Sequence, residues 1–242
     1  MVSPSTPAGN ERDWVRGEKE AAIERTLAVA RSYDAVADEY TRRIADELAH
    51  KPLDRELLDR FAASVARRGR VCDVGCGPGH VARYLHERGV DIFGLDLSPR
   101  MVENARRLNP QIDFVVGDML ALAEPDASWS GAVAFYSLIH FPPAQVGLAL
   151  AELARVLAPD APLLVAFHTG DEMRHIDEWW DRSVSLDGYF FRPEWFGEQL
   201  SHAGFLIDNL VVRPPYVGYE VETERGYIQA RRTDDLSLTT PS

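Results

Sequence analysis

The sequence has little cysteine, no long apolar run and fewer basic than acidic side chains. Its only cysteines are Cys72 and Cys76, and four-ligand zinc sites need further ligands at regular spacing. A zinc site of His140, His168 and His175 has no such spacing to support it. We therefore expect two reduced thiols and no bound metal.

The lack of long apolar runs and of net positive charge limits the kinds of partner that the protein is expected to bind. No segment approaches the ~20 consecutive apolar residues of a membrane span, and the start, "MVSPSTPAGNERDW", lacks the apolar segment of a secretory signal. The formal net charge of −12 would repel a phosphate backbone. We expect a cytoplasmic protein, monomeric or homodimeric, that binds neither membrane nor nucleic acid.

What the chain does contain is enough apolar material for one sizeable domain. Its 242 residues are 45% hydrophobic, which suits one α/β core with a small cap. We predict disordered tails at 1–18 and 234–242. Apolar residues recur every three or four positions between 19 and 65, which predicts an N-terminal helical cap with a break at Pro52. The core then covers 66–233.

Seven short β-rich runs follow residue 70, separated by helical stretches, and this alternation is typical of βαβ units. The last two, "FLIDNLVV" and "GYIQARR", have no helix between them and predict an antiparallel pair at the sheet edge. The fold class is therefore α/β: a Rossmann-like, seven-stranded, mostly parallel sheet with one antiparallel edge strand, helices on both faces, the helical cap and an aromatic lid insertion at about 169–192.

The exit loop of the first strand carries the strongest signal. In "VCDVGCGPGH", residues 71–80, three glycines alternate before a helix whose amino end favours negative groups. Asp96 follows about 20 residues later, the distance at which an acid reaches ribose hydroxyls. The glycines do not follow the G-x-G-x-x-G order of NAD-binding loops. Asp73 beside them suits a cationic amine better than a pyrophosphate.

Four motifs in order, "VCDVGCGPGH", "FGLDLSPRMV", "FVVGDML" and "AFYSLIHFPP", give the sequence a family resemblance over about residues 30–232. It resembles the class I S-adenosylmethionine (SAM)-dependent methyltransferases of the small-molecule type, related to ubiquinone, sterol and sugar methyltransferases. The resemblance implies SAM as cofactor and S-adenosylhomocysteine (SAH) as product.

The same resemblance assigns the cofactor contacts. It implies that Asp73 and the glycines hold the methionine portion, Asp96 the ribose and Asp118 the adenine amine, while tyrosines of the "SYDAVADEY" helix close over them. The expected cofactor-binding residues are Tyr33, Tyr40, Asp73, Gly75, Cys76, Gly77, Gly79, Asp96, Leu97, Met101, Asp118, Met119, Leu120 and Tyr136.

The region after the fourth strand indicates the chemistry. It lacks the Asn/Asp-Pro-Pro-aromatic motif of nucleic-acid amino methyltransferases and the acids that hold magnesium, and no Pro-Cys nucleophile occurs in the chain. It does contain His140, and in similar O-methyltransferases a histidine here is the general base. His168 ends the fifth strand and is the second catalytic candidate. Each histidine could instead only satisfy a neighbouring loop.

The aromatic segment after the fifth strand predicts a lid over an apolar, aromatic or polyketide-like acceptor. We predict SAM-dependent methylation of such a small molecule, with O-methylation and His140 as base the first choice. N- or C-methylation, a non-methylating reaction such as cyclisation, and a non-catalytic binding module are the alternatives. The expected substrate-binding residues are His175, Trp179, Trp180, Tyr189 and Phe191.

Overall fold

Two helices precede the sheet in the computed structural model, which describes residues 11–233. Helix α1 spans Glu11–Ile44, and α2 spans Pro52–Val65 after a 3-10 turn. Proline in the first turn of α2 is tolerated because its missing N–H would have no partner there. Residues 11–18 of the predicted tail are helical in a proline-free stretch rich in Glu, Arg and Lys. The remainder of both predicted tails, 1–10 and 234–242, lies outside the described residues.

Within residues 11–233, seven of the nine strands form one sheet, in the order β3-β2-β1-β4-β5-β9-β8. Strands β1 to β5 pair in parallel, and β9 pairs antiparallel with both β5 and β8. The predicted mostly parallel sheet with an antiparallel edge is confirmed, and β9 lies between β5 and the edge strand β8. The strands are β1 (Val71–Val74), β2 (Ile92–Asp96), β3 (Asp113–Val116), β4 (Gly131–Phe135), β5 (Pro162–His168), β6 (Met173–Trp179), β7 (Arg182–Tyr189), β8 (Phe205–Arg213) and β9 (Arg225–Arg232).

Helices cover both faces of the sheet, so its central strands are mostly apolar. The remaining helices are α3 (His80–His86), α4 (Pro99–Leu108), α5 (Pro143–Val156) and α6 (Pro193–His202). Val71 and Val133 pack on the face that holds α2, α3 and α4, whereas Cys72 and Ala132 pack on the face that holds α5 and α6. Within residues 11–233, no helix combines the length and apolar composition that crossing a bilayer requires.

The predicted lid contains a hairpin, β6–β7, that the sequence analysis did not foresee. Its two-residue loop, Trp180 and Asp181, has φ angles of 52° and 60°, the left-handed pair of a type I′ turn, where Asn-Gly is usual. The hairpin is attached to α1, because the Ser32 hydroxyl donates to the Ser185 carbonyl and accepts from the Ser185 amide, both at 3.0 Å. The lid and the helical cap therefore meet above the sheet.

Candidate functional site

The strand order reverses between β1 and β4, and the exit loops of these two strands touch there. Gly75 has φ of +72°, and a Cβ at this position would lie 2.2 Å from the Cβ of Ser137 after β4. Gly77 has φ of +51°, and a Cβ at this position would make only an ordinary van der Waals contact, 3.7 Å from the Tyr40 ring. The glycine loop is thus tightly packed on the β4 side, at Gly75, and has room on the other side, at Gly77. We call the side at Gly77 the glycine cradle.

This cradle forms one end of a cavity of about 820 Å³, counted out to its opening. The walls come from α1, from the ends of β1, β2 and β4, and from the loop after β3. The structure brings ten of the predicted site residues to these walls: Tyr33, Tyr40, Gly75, Gly77, Asp96, Leu97, Asp118, Met119, Tyr136 and His140.

Two carboxyl groups line the cradle end of the cavity. Asp96 accepts hydrogen bonds from the amides of Gly77 and Ser98, both at 2.8 Å, and burial raises its pKa to about 6. Asp118 accepts from the Leu120 amide at 2.9 Å. Carboxylate oxygens have several acceptor positions each, so both groups keep capacity for hydroxyl or amine donors of a ligand.

Other predicted cofactor residues support the loop from behind. Asp73 is buried, accepts from the Ala82 amide of α3 at 3.0 Å, and burial raises its pKa to about 7. It therefore fixes the helix after the loop and is not among the residues that line the cavity, and its contact with the cofactor stays a prediction. The same holds for four core or capping positions: Cys76, Gly79, Met101 and Leu120.

His140 is held by both of its ring nitrogens. It ends a 3-10 turn after β4, and its Nδ1 lies 2.9 Å from the Asp187 carbonyl oxygen of β7. A carbonyl only accepts, so Nδ1 carries the proton. Nε2 is then the acceptor of the Tyr33 hydroxyl, at 2.7 Å. Burial lowers the pKa of His140, and the ring is neutral near pH 7.

His168 does not reach the cavity walls. Its Nδ1 lies 2.8 Å from the Thr223 hydroxyl, and its ring centroid is 5.1 Å from that of Tyr136. Burial, with the nearby cations of Arg225 and Lys51, lowers its pKa to about 3. The neutral His168 side chain forms a hydrogen bond with the connection between β8 and β9, which is the alternative role of satisfying a neighbouring loop. It forms no hydrogen bond with His140.

The predicted lid residues surround the tyrosines more than they surround the cavity. Trp179 and Trp180 stack at 4.7 Å between ring centroids, and Trp179 packs edge-on against Tyr33 and Tyr40 at 5.9 and 5.6 Å. The other predicted substrate contacts point elsewhere. His175 is exposed and bonds Asp177 and Asp187, Phe191 is buried beside Phe196, and Tyr189 stacks toward Phe191.

Sequence reasoning missed the part of the wall that α1 contributes. Positions seven, four and three before Tyr33 share its helix face, so this spacing was the signal that could have found them. The loop after β4 and the start of α5 supply further unpredicted positions. The missed wall residues include Arg25, Thr26, Val29, Ala30, Ser137, Phe141 and Gln145.

Comparison with known proteins agrees with this geometry. Residues 71–160 match the family described as "Methyltransferase domain". The malonyl-[acyl-carrier protein] O-methyltransferase of Enterobacter lignolyticus (strain SCF1) is 33% identical over 153 residues, covering 60% of this chain and 58% of that protein. The chain thus spans less than two thirds of the length of this curated relative.

Solved structures show the same fold. The 1,6-didemethyltoxoflavin-N1-methyltransferase of Burkholderia thailandensis, with bound 1,6-didemethyltoxoflavin and SAH, has a TM-score of 0.64 and 21% identity, covering 97% of this chain and 94% of that one. The [4+2]-cyclase SpnF also has a TM-score of 0.64, with 19% identity and coverage of 86% and 97%. Residues 71–160 thus match a methyltransferase domain, and the chain has the fold of these solved methyltransferase structures.

Proposed function

We propose that the protein transfers a methyl group from SAM to an oxygen atom of a small, largely apolar acceptor. The observation that carries this proposal is a single cavity that joins the glycine cradle and Asp96 to His140. One end has the groups that a nucleoside with a charged tail requires, and the other has a neutral imidazole.

The cradle end fits the cofactor on two observations. A Cβ on Gly77 would project into the open cavity, and the buried Ser137 hydroxyl has no hydrogen-bond partner among the described residues. We assign Asp96 to the ribose hydroxyls and Asp118 to the adenine amine. SAM, when bound, supplies an electrophilic methyl group on a sulfonium.

The chain's own residues then exclude water and accept a proton. The wall of α1, braced by the tryptophan pair, shields the reacting end, and effective alignment of two reactants contributes more than any single group. His140 is the general base of the proposal. Because burial lowers its pKa, its proton affinity suits an acidic hydroxyl, a phenol or an enol, better than an aliphatic alcohol.

The acceptor end is apolar with a few polar groups, which agrees with an aromatic or polyketide-like molecule. Val29, Ala30 and Phe141 supply apolar surface, and Gln145 with Arg25 supplies polar groups near them. A relative named for malonyl-carrier methylation makes a carboxylate acceptor the alternative to test. A carboxylate needs no base, so the two acceptors make different demands on His140.

Calorimetric titration with SAM and SAH is the first experiment. Wild type should bind both, Asp96→Ala should lose binding, and Asp113→Ala, an exposed acid at the start of β3, should bind as wild type does. Failure of folded wild type to bind either ligand refutes the cofactor assignment.

Acceptor identity follows by mass spectrometry with phenols, enols, malonyl thioesters and amines. Methylation of phenols or enols that is lost in His140→Gln supports the proposal. Turnover of carboxylates or amines that His140→Gln retains would replace it, and products without an added methyl would point to a non-methylating reaction. The cytoplasmic location, the absence of nucleic-acid binding and the monomeric or homodimeric state stay predictions.

A further inference from the structure

Both nitrogens of His140 are occupied, and by elements outside the seven-stranded sheet. The β7 backbone takes Nδ1 through the Asp187 carbonyl, and α1 takes Nε2 through the Tyr33 hydroxyl. An acceptor hydroxyl therefore cannot bond Nε2 unless Tyr33 leaves it. Tyr33 and His140 both line the cavity, so an acceptor in the cavity can reach the phenol whose hydroxyl occupies Nε2.

We propose that Tyr33 is a second catalytic residue, which relays the acceptor's proton to His140. This inference rests on the proposed O-methylation. The acceptor oxygen exchanges its proton for the methyl group, and that proton passes to the Tyr33 oxygen while the Tyr33 hydroxyl proton passes to Nε2. Tyr33 is neutral before and after. His140 becomes an imidazolium whose Nδ1–H still bonds the Asp187 carbonyl, and solvent removes the extra proton after product release.

The surroundings of Tyr33 favour a neutral phenol that passes on a proton over a negatively charged phenolate. Burial, with the charge of Asp96 at the cavity wall, raises the pKa of Tyr33 above its ordinary value, so the phenol stays protonated and donates only as it accepts. Its ring is fixed by edge-on contacts with Tyr40 at 5.6 Å and with Trp179. The hydroxyl thus has one orientation, toward His140.

The partner of Nδ1 is a backbone group, which no side-chain substitution removes. The lid hairpin delivers it, and the hydrogen bonds between Ser32 and Ser185 hold that strand beside α1. Since the carbonyl can only accept, the hairpin fixes which nitrogen of His140 is basic. The relay direction, from Tyr33 to Nε2, follows from this arrangement.

The direct test is nitrogen NMR of protein labelled with ¹⁵N-histidine, in the presence of SAH. Wild type should show His140 protonated on Nδ1 only. In Tyr33→Phe the Nε2 resonance should move toward that of an imidazole nitrogen without a hydrogen bond. Tyr84→Phe is the matched control, because the Tyr84 hydroxyl bonds Asp59 of α2 at 3.0 Å and Tyr84 does not line the cavity. Its His140 resonances should equal those of wild type. Nε2 protonation in wild type, or an unchanged spectrum in Tyr33→Phe, overturns the proposal.

Kinetics then separate a relay from a structural role. With any phenol or enol that wild type methylates, Tyr33→Phe, which keeps the aromatic ring and removes only the hydroxyl, should lower kcat about 100-fold or more. A raised KM with unchanged kcat would make Tyr33 a wall residue only, which overturns the relay. If Tyr33→Phe is fully active and His140→Gln is inactive, the relay is refuted and the proposed function stands. A wild type that methylates no hydroxyl refutes the proposed function instead, whatever the NMR result.

Discussion

Substitution of Gly75 by alanine tests the geometry at the strand reversal, and Gly89→Ala provides a matched control. Both glycines have similar left-handed backbones, with φ of +72° and +79°, but a Cβ on Gly89 would meet no atom within 4 Å. Gly89→Ala should therefore lower the free energy of unfolding only by the backbone penalty, about 1–2 kcal/mol. Gly75→Ala carries the same penalty and a collision with Ser137.

The collision sets the size of the difference. The built Cβ lies 2.2 Å from the Ser137 Cβ and 3.5 Å from its Cα, whereas carbon atoms pack at about 3.5–4.0 Å. One of the two loops must move by more than about 1 Å, and overpacking of this kind costs about 1–3 kcal/mol. Gly75→Ala should thus be less stable than Gly89→Ala by about that amount, or about 2–4 °C in Tm per kcal/mol.

A double mutant isolates the collision. Ser137→Gly removes the Cβ at 2.2 Å and leaves the Cα at 3.5 Å. In that background, Gly75→Ala should lower the free energy of unfolding by the backbone penalty alone. Urea unfolding gives the four free energies of the cycle, and calorimetry with SAH should show weaker binding in Gly75→Ala only. Equal unfolding free energies for Gly75→Ala and Gly89→Ala would refute the packing argument.

Three further predictions concern buried polar groups. Burial raises the pKa of Asp73 from 3.8 to about 7, so the folded state holds this proton more tightly than the unfolded one; the free energy of unfolding should fall as pH rises from about 4 to about 7, and Asp73→Asn should flatten that slope in urea titrations. Arg213 bonds Asp54 at 2.8 Å with both side chains buried, so Arg213→Met should cost about 3–5 kcal/mol of unfolding free energy, and a loss under about 1 kcal/mol would contradict this. Cys72 and Cys76 are buried with raised pKa values, so a chromogenic disulfide reagent should label them only in denaturant; rapid labelling of folded protein would contradict their burial.

The succession of the sheet's strands along the chain and the glycine loop with Asp96 were predictable because each depends on local signals. Short apolar runs that alternate with helical stretches predict the seven strands of the sheet. The glycine loop after the first strand and Asp96 at the end of the second predict two parts of the same ligand-binding crevice. The carboxyl ends of neighbouring parallel strands lie at the same edge of a sheet, so the position of His140 after the fourth strand predicts that it lies near the glycine loop and Asp96.

The lid was not predictable to the same degree. Its hairpin turns at Trp180 and Asp181 with left-handed backbones but without the glycine or asparagine that signals such a turn. The Asp187 carbonyl that fixes His140 lies 47 positions away, and every residue type offers a carbonyl, so no sequence pattern marks it. The composition of the lid predicts a cover rich in aromatic residues, but its contact with Tyr40 through Trp179 depends on tertiary packing.

The proposed base is held by segments on both sides of the stretch 71–160: α1 precedes it and the hairpin β6–β7 follows it. These two flanks meet through Ser32 and Ser185 and hold His140 between them. An engineer who wants to exchange acceptor preference with a related enzyme should therefore transplant both flanks as a matched pair. A chimera with one foreign flank would lose the register of the serine contact, whereas the central stretch can be kept as a reusable donor module.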